Sequence, residues 1–293
     1  MKTVQVIVSA LFVAATVLPA NAVPGHRSTS TPSRNPAHSH SGSNGWLTEV
    51  KLCLMGDEIV YGLADFRQSL GQYRLAHSDK EKALLVKRMV VIDHRLAKQM
   101  SKFKRMSAGY SAHSDNWKGI YAKTKDDFDN RHGELVVIQT DPVDDIEPSY
   151  SYVTGKAPEE QLADIRKELL NSKDSSHQSM ELTSLLSYEF KLTEATNALI
   201  RVSERDESCM RLKSTLPGLE DAASKTPEVK LVAQPSLSAL KAMIPLLDQL
   251  DVRDKSSDEL ENKYVKDYDR QYGVFLNAVT QLIDKVLARI GSR

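Results

Sequence analysis

The chain has 293 residues, of which 39 are basic and 39 acidic, so its formal net charge is zero. That balance excludes the broad positive charge with which nucleic-acid-binding proteins attract phosphate, and we expect no nucleic-acid partner. The length suffices for one large domain or two small ones. Long stretches are rich in Leu, Ala, Glu and Lys, which favour helices, so the composition predicts an all-α fold.

The N-terminus has the three parts of a secretory signal. Lys2 supplies a positive charge, residues 4–17 are mostly apolar, and residues 19–22 read Pro-Ala-Asn-Ala. We therefore expect a signal peptide over 1–22, cleavage after Ala22 and secretion of the mature protein. The alternative is an uncleaved membrane anchor, but a spanning helix needs roughly 20 apolar residues, and this run is shorter and ends in a proline.

A second compositional change separates residues 23–45 from the remainder of the chain. This segment is rich in Ser, Thr, Pro, His and Gly, and such a composition buries too little apolar surface to offset the entropy of ordering. The sequence thus predicts a disordered leader over 23–45 and a helical domain over 46–293. A loop at 141–157, with two prolines and several acids, is a candidate boundary between two subdomains.

Within 46–293 we predict a bundle of six or seven helices. The first begins near Trp46, although three glycines count against its continuity. The second begins at a capping box formed by Ser78 and Glu81. The apolar faces of these two helices recur at helical spacing, and they consist of Leu52, Ile59, Leu63, Phe66, Leu70 and Tyr73, followed by Leu85, Met89, Ile92, Leu96, Met100 and Phe103.

The later part of the chain is less regular. The β-branched run at 135–138 predicts a short strand or a buried extended segment. Pro158 predicts a helix start, and that helix should end near Asn171. A longer helix is expected from Ser175 to about Lys213, because Pro217 and Gly218 follow it.

Two further segments complete the predicted helices. A segment that opens at Ser236 contains Pro245, where we expect a kink or a break. The last helix should begin at a second capping box, formed by Ser256 and Glu259.

The chain has two cysteines, Cys53 and Cys209. In an oxidising compartment the simplest arrangement is one disulfide between them. The alternative is two buried free thiols. Neither cysteine lies in a recognisable nucleophile context, so we predict no catalytic thiol.

One string matches a catalytic signature in its letters. Arg131-His132-Gly133-Glu134 is similar to the signature of the histidine phosphatases, in which the string follows a hydrophobic strand. Here it follows a polar, acidic stretch, and we assign no catalytic residue to it. The histidines lack ligand spacing, and the acids near Asp141 do not match a calcium loop. We therefore predict no metal site and no cofactor.

Two helical faces are candidate interaction surfaces. The first is the basic face of the second helix, a type that binds anionic membrane surfaces or acidic proteins; its alternative is an ordinary solvated face. The second is a tyrosine stripe on the last helix, which suits an interface or a half-buried core. The residues concerned are Arg88, Arg95, Lys98, Lys102 and Arg105 on the basic face, and Tyr264, Tyr268 and Tyr272 on the stripe.

These features predict a secreted helical interaction protein with a protein partner, and they leave its oligomeric state open. The format is similar to that of effectors that microbes deliver into a host. One alternative is a secreted helical enzyme with a site between helices: residues 162–170 resemble the opening helix of chorismate mutases, but the other basic residues of that family have no matching positions. Another alternative is a cell-wall-associated structural protein.

Overall fold

The computed structural model describes residues 42–140, 155–171, 180–200, 205–251 and 258–291. The predicted signal peptide, most of the predicted leader and the acidic part of the 141–157 loop lie outside these residues. So do Ser175 and Ser256, where two helix starts were predicted.

The described residues are all-α, as the sequence predicts, and form one compact unit. They contain eight helices and no strand. In chain order the helices are α1 (Gly42–Leu75), α2 (Asp79–Ala108), α3 (Ser114–Thr140), α4 (Pro158–Asn171), α5 (Met180–Ile200), α6 (Arg205–Ala223), α7 (Pro227–Asp251) and α8 (Asp258–Gly291).

Helix α1 is central, because it packs against α2, α3, α4 and α8. Its glycines do not interrupt it, and two of them allow close helix packing. A Cβ atom at Gly62 would lie 2.6 Å from Leu96 Cδ2 on α2, and one at Gly56 would lie 2.7 Å from Leu162 Cδ2 on α4. Real Cβ atoms do not approach so closely, so the two leucine side chains, or the helices that carry them, would have to shift.

Several predicted helix ends are confirmed. The Ser78 hydroxyl accepts a hydrogen bond from the Glu81 backbone N–H at 3.2 Å, which caps α2. Helix α4 begins at Pro158 and ends at Asn171. The predicted apolar face of α2 is buried from Met89 onward.

The strand predicted at 135–138 is wrong, because these residues continue α3. Leu135 and Ile138 are buried three positions apart, while Val136 and Val137 between them are exposed. That pattern has the helical period, and burial on one face outweighs the modest β-preference of branched side chains.

The helix boundaries around three prolines also differ from the prediction. Pro217 lies inside α6, between the fully buried Leu212 and Leu219, whose spacing of seven keeps one apolar face in contact with the core. Helix α7 begins at Pro227, nine residues before the predicted start, and its N-terminus is capped by the Thr226 hydroxyl. It continues through Pro245 without a break. The cost of a proline inside a helix, about 3 kcal/mol, is offset here by apolar packing.

The predicted disulfide is also corrected. Cys53 is a free, fully buried thiol, and its Sγ atom points to the Leu162 carbonyl oxygen on α4 at 3.8 Å. The thiol therefore occupies the α1–α4 contact and does not bond to Cys209, which lies on α6 and whose side chain is outside the described part.

Candidate functional site

The basic face predicted on α2 divides into two parts with different surroundings. Arg88 donates to Asp65 of α1, and Arg95 Nη2 lies 2.6 Å from Glu58 Oε1, also on α1. Lys98, Lys102 and Arg105 are exposed. The first pair therefore joins two helices, and the other three side chains remain on the surface.

The tyrosine stripe faces largely inward. Tyr272 is buried and Tyr268 is half-buried, and their rings stack with centroids 6.0 Å apart. Burial raises the pKa of Tyr272, so its hydroxyl stays protonated. The side chain of Tyr264 lies outside the described part. These positions thus favour a core role for Tyr272 and leave only part of Tyr268 for a partner.

A groove of about 660 Å³ runs between α2 and α8, with α1 as its floor. It joins the helices that carry both predicted surfaces. Its lining includes two exposed valines, Val91 of α2 and Val274 of α8, which are 68% and 53% exposed. Its charged lining consists of Arg88, Arg95 and Arg270 together with Asp65.

One glycine explains how an arginine fits beside α8. A Cβ atom at Gly273 would lie 3.0 Å from Arg88 Nη2. The missing side chain therefore leaves room for the guanidinium between the two helices. Sequence reasoning did not select Gly273, because nothing in the sequence shows that it faces α2.

The groove wall on α2 carries two arginines, and both pair with carboxylates of α1. The helix as a whole has nine lysine and arginine residues against three acidic ones, so it adds further cations beyond the groove. Arg270, at the α8 edge, pairs with Asp267 one turn away and stays exposed. Exposed apolar side chains between cations suit a ligand that combines apolar and acidic groups.

A second polar cluster is buried where α1 meets α4 and α5. Arg166 Nη1 lies 2.5 Å from Asp57 Oδ1, and both side chains are almost completely buried. On α5, Thr193 donates to Glu189 Oε1 at 3.0 Å. Burial, with a smaller contribution from the charge of Asp57, raises the pKa of Glu189 to about 8. Sequence reasoning did not select these residues, because nothing distinguishes them from the other charges on their helices.

The cluster also contains the free thiol. Burial, and then the nearby Asp57 charge, raise the pKa of Cys53 well above its usual value. A thiol that stays protonated is a poor nucleophile.

The string at Arg131–Glu134 lies within α3 and does not follow a strand. Arg131 is buried between Asp127 and Glu134, at 3.3 and 3.0 Å. His132 Nδ1 lies 2.8 Å from Asp93 Oδ1 on α2. The His132 contact joins α3 to α2, and the Arg131 contacts lie within α3, so the string has a packing role here.

Two further kinds of site are absent from the part of the chain that the structure describes. The described residues contain no group of three or more His, Cys, Asp or Glu side chains arranged to hold a metal ion. None of the described helices combines the length and the apolarity that a membrane crossing requires.

No protein-family model matches the chain, and comparison with the curated proteins and with the solved structures gives no match.

Proposed function

We propose that this chain is a secreted helical interaction protein, and that its groove binds an acidic, amphipathic helix of a protein partner. The observation that carries the proposal is the pair of exposed valines, Val91 and Val274, between the arginines of the groove that α2 and α8 line. A third helix laid between α2 and α8 would bury both valines and place its acids against Arg95 and Arg270.

The leader of this chain is a poor occupant for the same groove. Residues 23–45 contain Arg27 and Arg34 but no acidic residue. A basic segment placed against a basic wall would be repelled, so charge complementarity favours an acidic segment from another protein.

Site-specific photo-crosslinking tests the proposal. A photoreactive residue replaces Val91 or Val274 in the full chain, and the same residue at Val137, exposed on α3, is the matched control. We expect both groove positions to crosslink an acidic amphipathic segment of one extracellular partner, and the control not to. Equal yields from Val137, or crosslinked segments without acidic residues, would contradict it.

Binding to anionic vesicles tests the alternative that the basic face of α2 binds a membrane surface instead of a protein. If the basic face acts on membranes, vesicles rich in phosphatidylserine should bind the wild type more tightly than any protein does. Val91→Asp should then weaken vesicle binding while crosslinking remains absent. Binding to the proposed partner should instead fall as salt rises and be weakened at least about 10-fold by Val91→Asp, a loss that is typical of a central apolar contact.

Secretion is part of the proposal and rests on the signal-like N-terminus alone. Intact-mass analysis of the protein from its own cells tests it. A mature chain that begins at Val23 is the expected result, and a mass that retains Met1 would contradict it.

A further inference from the structure

A second cavity, separate from the groove, lies between α1, α3 and the start of α4. Its volume is about 340 Å³, which is in the range of small-ligand pockets. Five charged side chains line it: Arg67, Lys123, Asp127, Arg131 and Glu159. A pocket lined by charges of both signs orients a polar ligand, because each charged group of the ligand has to lie next to a side chain of opposite charge.

The two arginines share one carboxylate. Arg67 Nη2 lies 2.8 Å from Asp127 Oδ2, and Arg131 Nε lies 3.3 Å from Asp127 Oδ1. Arg131 also pairs with Glu134, and it is buried. Asp127 thus holds both guanidinium groups at the cavity wall, while the Arg67 side chain, 44% exposed, keeps donors available.

Lys123 and Glu159 are less completely paired. The Lys123 ammonium donates to the Lys156 carbonyl oxygen, and it forms no ion pair with a carboxylate of the described residues. The Oε2 atom of Glu159 is buried and accepts no hydrogen bond from any residue of the described ranges. The cavity therefore offers Lys123 and the remaining donors of Arg67 to anionic groups, and the Glu159 carboxylate to a donor.

We propose that this cavity binds a small acidic amino acid. Its carboxylates would meet Lys123 and Arg67, next to the N-terminus of α4 at Pro158. Its ammonium group would donate to Glu159. Among the lining charges, Asp127 already pairs with Arg67 and Arg131. A ligand with two carboxylates and one ammonium group would supply partners for Lys123, for the remaining donors of Arg67 and for Glu159. This inference does not depend on the proposed partner of the groove.

Titration calorimetry with three C4 dicarboxylates tests the charge pattern. L-aspartate carries an ammonium group, malate a hydroxyl at the same carbon, and succinate neither. We expect aspartate to bind the full chain most tightly and succinate least, by about 10-fold or more for the lost charged hydrogen bond. Equal affinities, or no binding at about 10 mM ligand, a weak-binding limit, would overturn the proposal.

Variants of the lining residues show which side chain binds which group of the ligand. Lys123→Ala should weaken all three ligands about 10-fold, whereas Glu159→Gln should remove the preference for aspartate over malate. Lys125→Ala is the matched control, because Lys125 lies on the same helix and pairs with Asp129 on the surface. If Lys125→Ala lowered the ligand affinity as much as Lys123→Ala does, the loss would be a general effect of charge. That result would contradict the proposed binding site.

Discussion

The titration of Glu189 gives a quantitative test of the buried cluster. In the folded chain its pKa is about 8, and its ordinary value is 4.5. Between these two values the folded state keeps a proton that the unfolded state has lost. The stability contribution of the protonated group is therefore complete below pH 4.5 and is lost as the pH rises through about 8.

The substitution Glu189→Gln isolates this effect. Glutamine resembles the protonated carboxyl group in shape and hydrogen bonding, and its oxygen can still accept from the Thr193 hydroxyl. Each pKa unit corresponds to about 1.4 kcal/mol. The variant should gain on the wild type by up to about 1.4 kcal/mol per pH unit, and by a few kcal/mol in total between pH 5 and pH 8.

Urea unfolding followed by circular dichroism, repeated from pH 5 to pH 8, measures the difference directly. Titrating groups that lie away from Glu189 cancel because they are common to both proteins, whereas those of the buried cluster interact with Glu189 and contribute to the measured difference. Thr196→Ser, on the same helix and equally buried, is a control for changing this part of the core without changing its charge. Parallel stability curves for wild type and Glu189→Gln would refute the reasoning, since they would place the pKa of Glu189 near its ordinary value.

Three further predictions follow from the same contacts. Arg166→Ala leaves Asp57 buried without its partner, so it should lower the free energy of unfolding by about 3–5 kcal/mol. The control Lys167→Ala, at an exposed position of the same helix, should change it by less than about 0.5 kcal/mol. Urea unfolding of both variants and the wild type measures the difference. Burial lowers the pKa of His113, but hydrogen bonds to Glu49 and Glu168 outweigh it and raise the pKa overall, so its stabilisation is complete below pH 6.5 and disappears as the pH rises through the folded pKa. A melting-temperature gap between wild type and His113→Gln that widened with pH would contradict this. Finally, Cys53 should resist alkylation in the native protein and react in denaturant without a reductant, and a requirement for the reductant would contradict a free thiol.

The sequence predicts helix content better than helix boundaries. Regular apolar spacing and the Ser78 cap identify α2 correctly, because both signals are local. Pro217 and Pro245 mislead, because the packing that keeps a helix intact around a proline comes from other helices. The run at 135–138 misleads for the same reason: its β-branched composition is local, but which of its side chains are buried depends on the neighbours of α3.

The site is less accessible from sequence than the fold. The periodicity of α2 reveals a basic face, but it does not show that Arg88 and Arg95 would find carboxylates on α1. Likewise the ion pair between Asp57 and Arg166 joins residues 109 positions apart. Such pairings depend on which helices become neighbours, and one sequence carries no direct record of that.

Tyr61 connects the buried cluster with the groove. It contributes to the groove floor, and its hydroxyl is buried beside the cluster, where burial and then the Asp57 charge raise its pKa. The side chain is 1% exposed, so it has little freedom to move independently of either region. The packing around Asp57 and Glu189 therefore also fixes the floor of the groove. Charges buried in the core can lower stability. Here Tyr61 separates the buried charges from the groove that we propose binds a partner, and it contacts both regions.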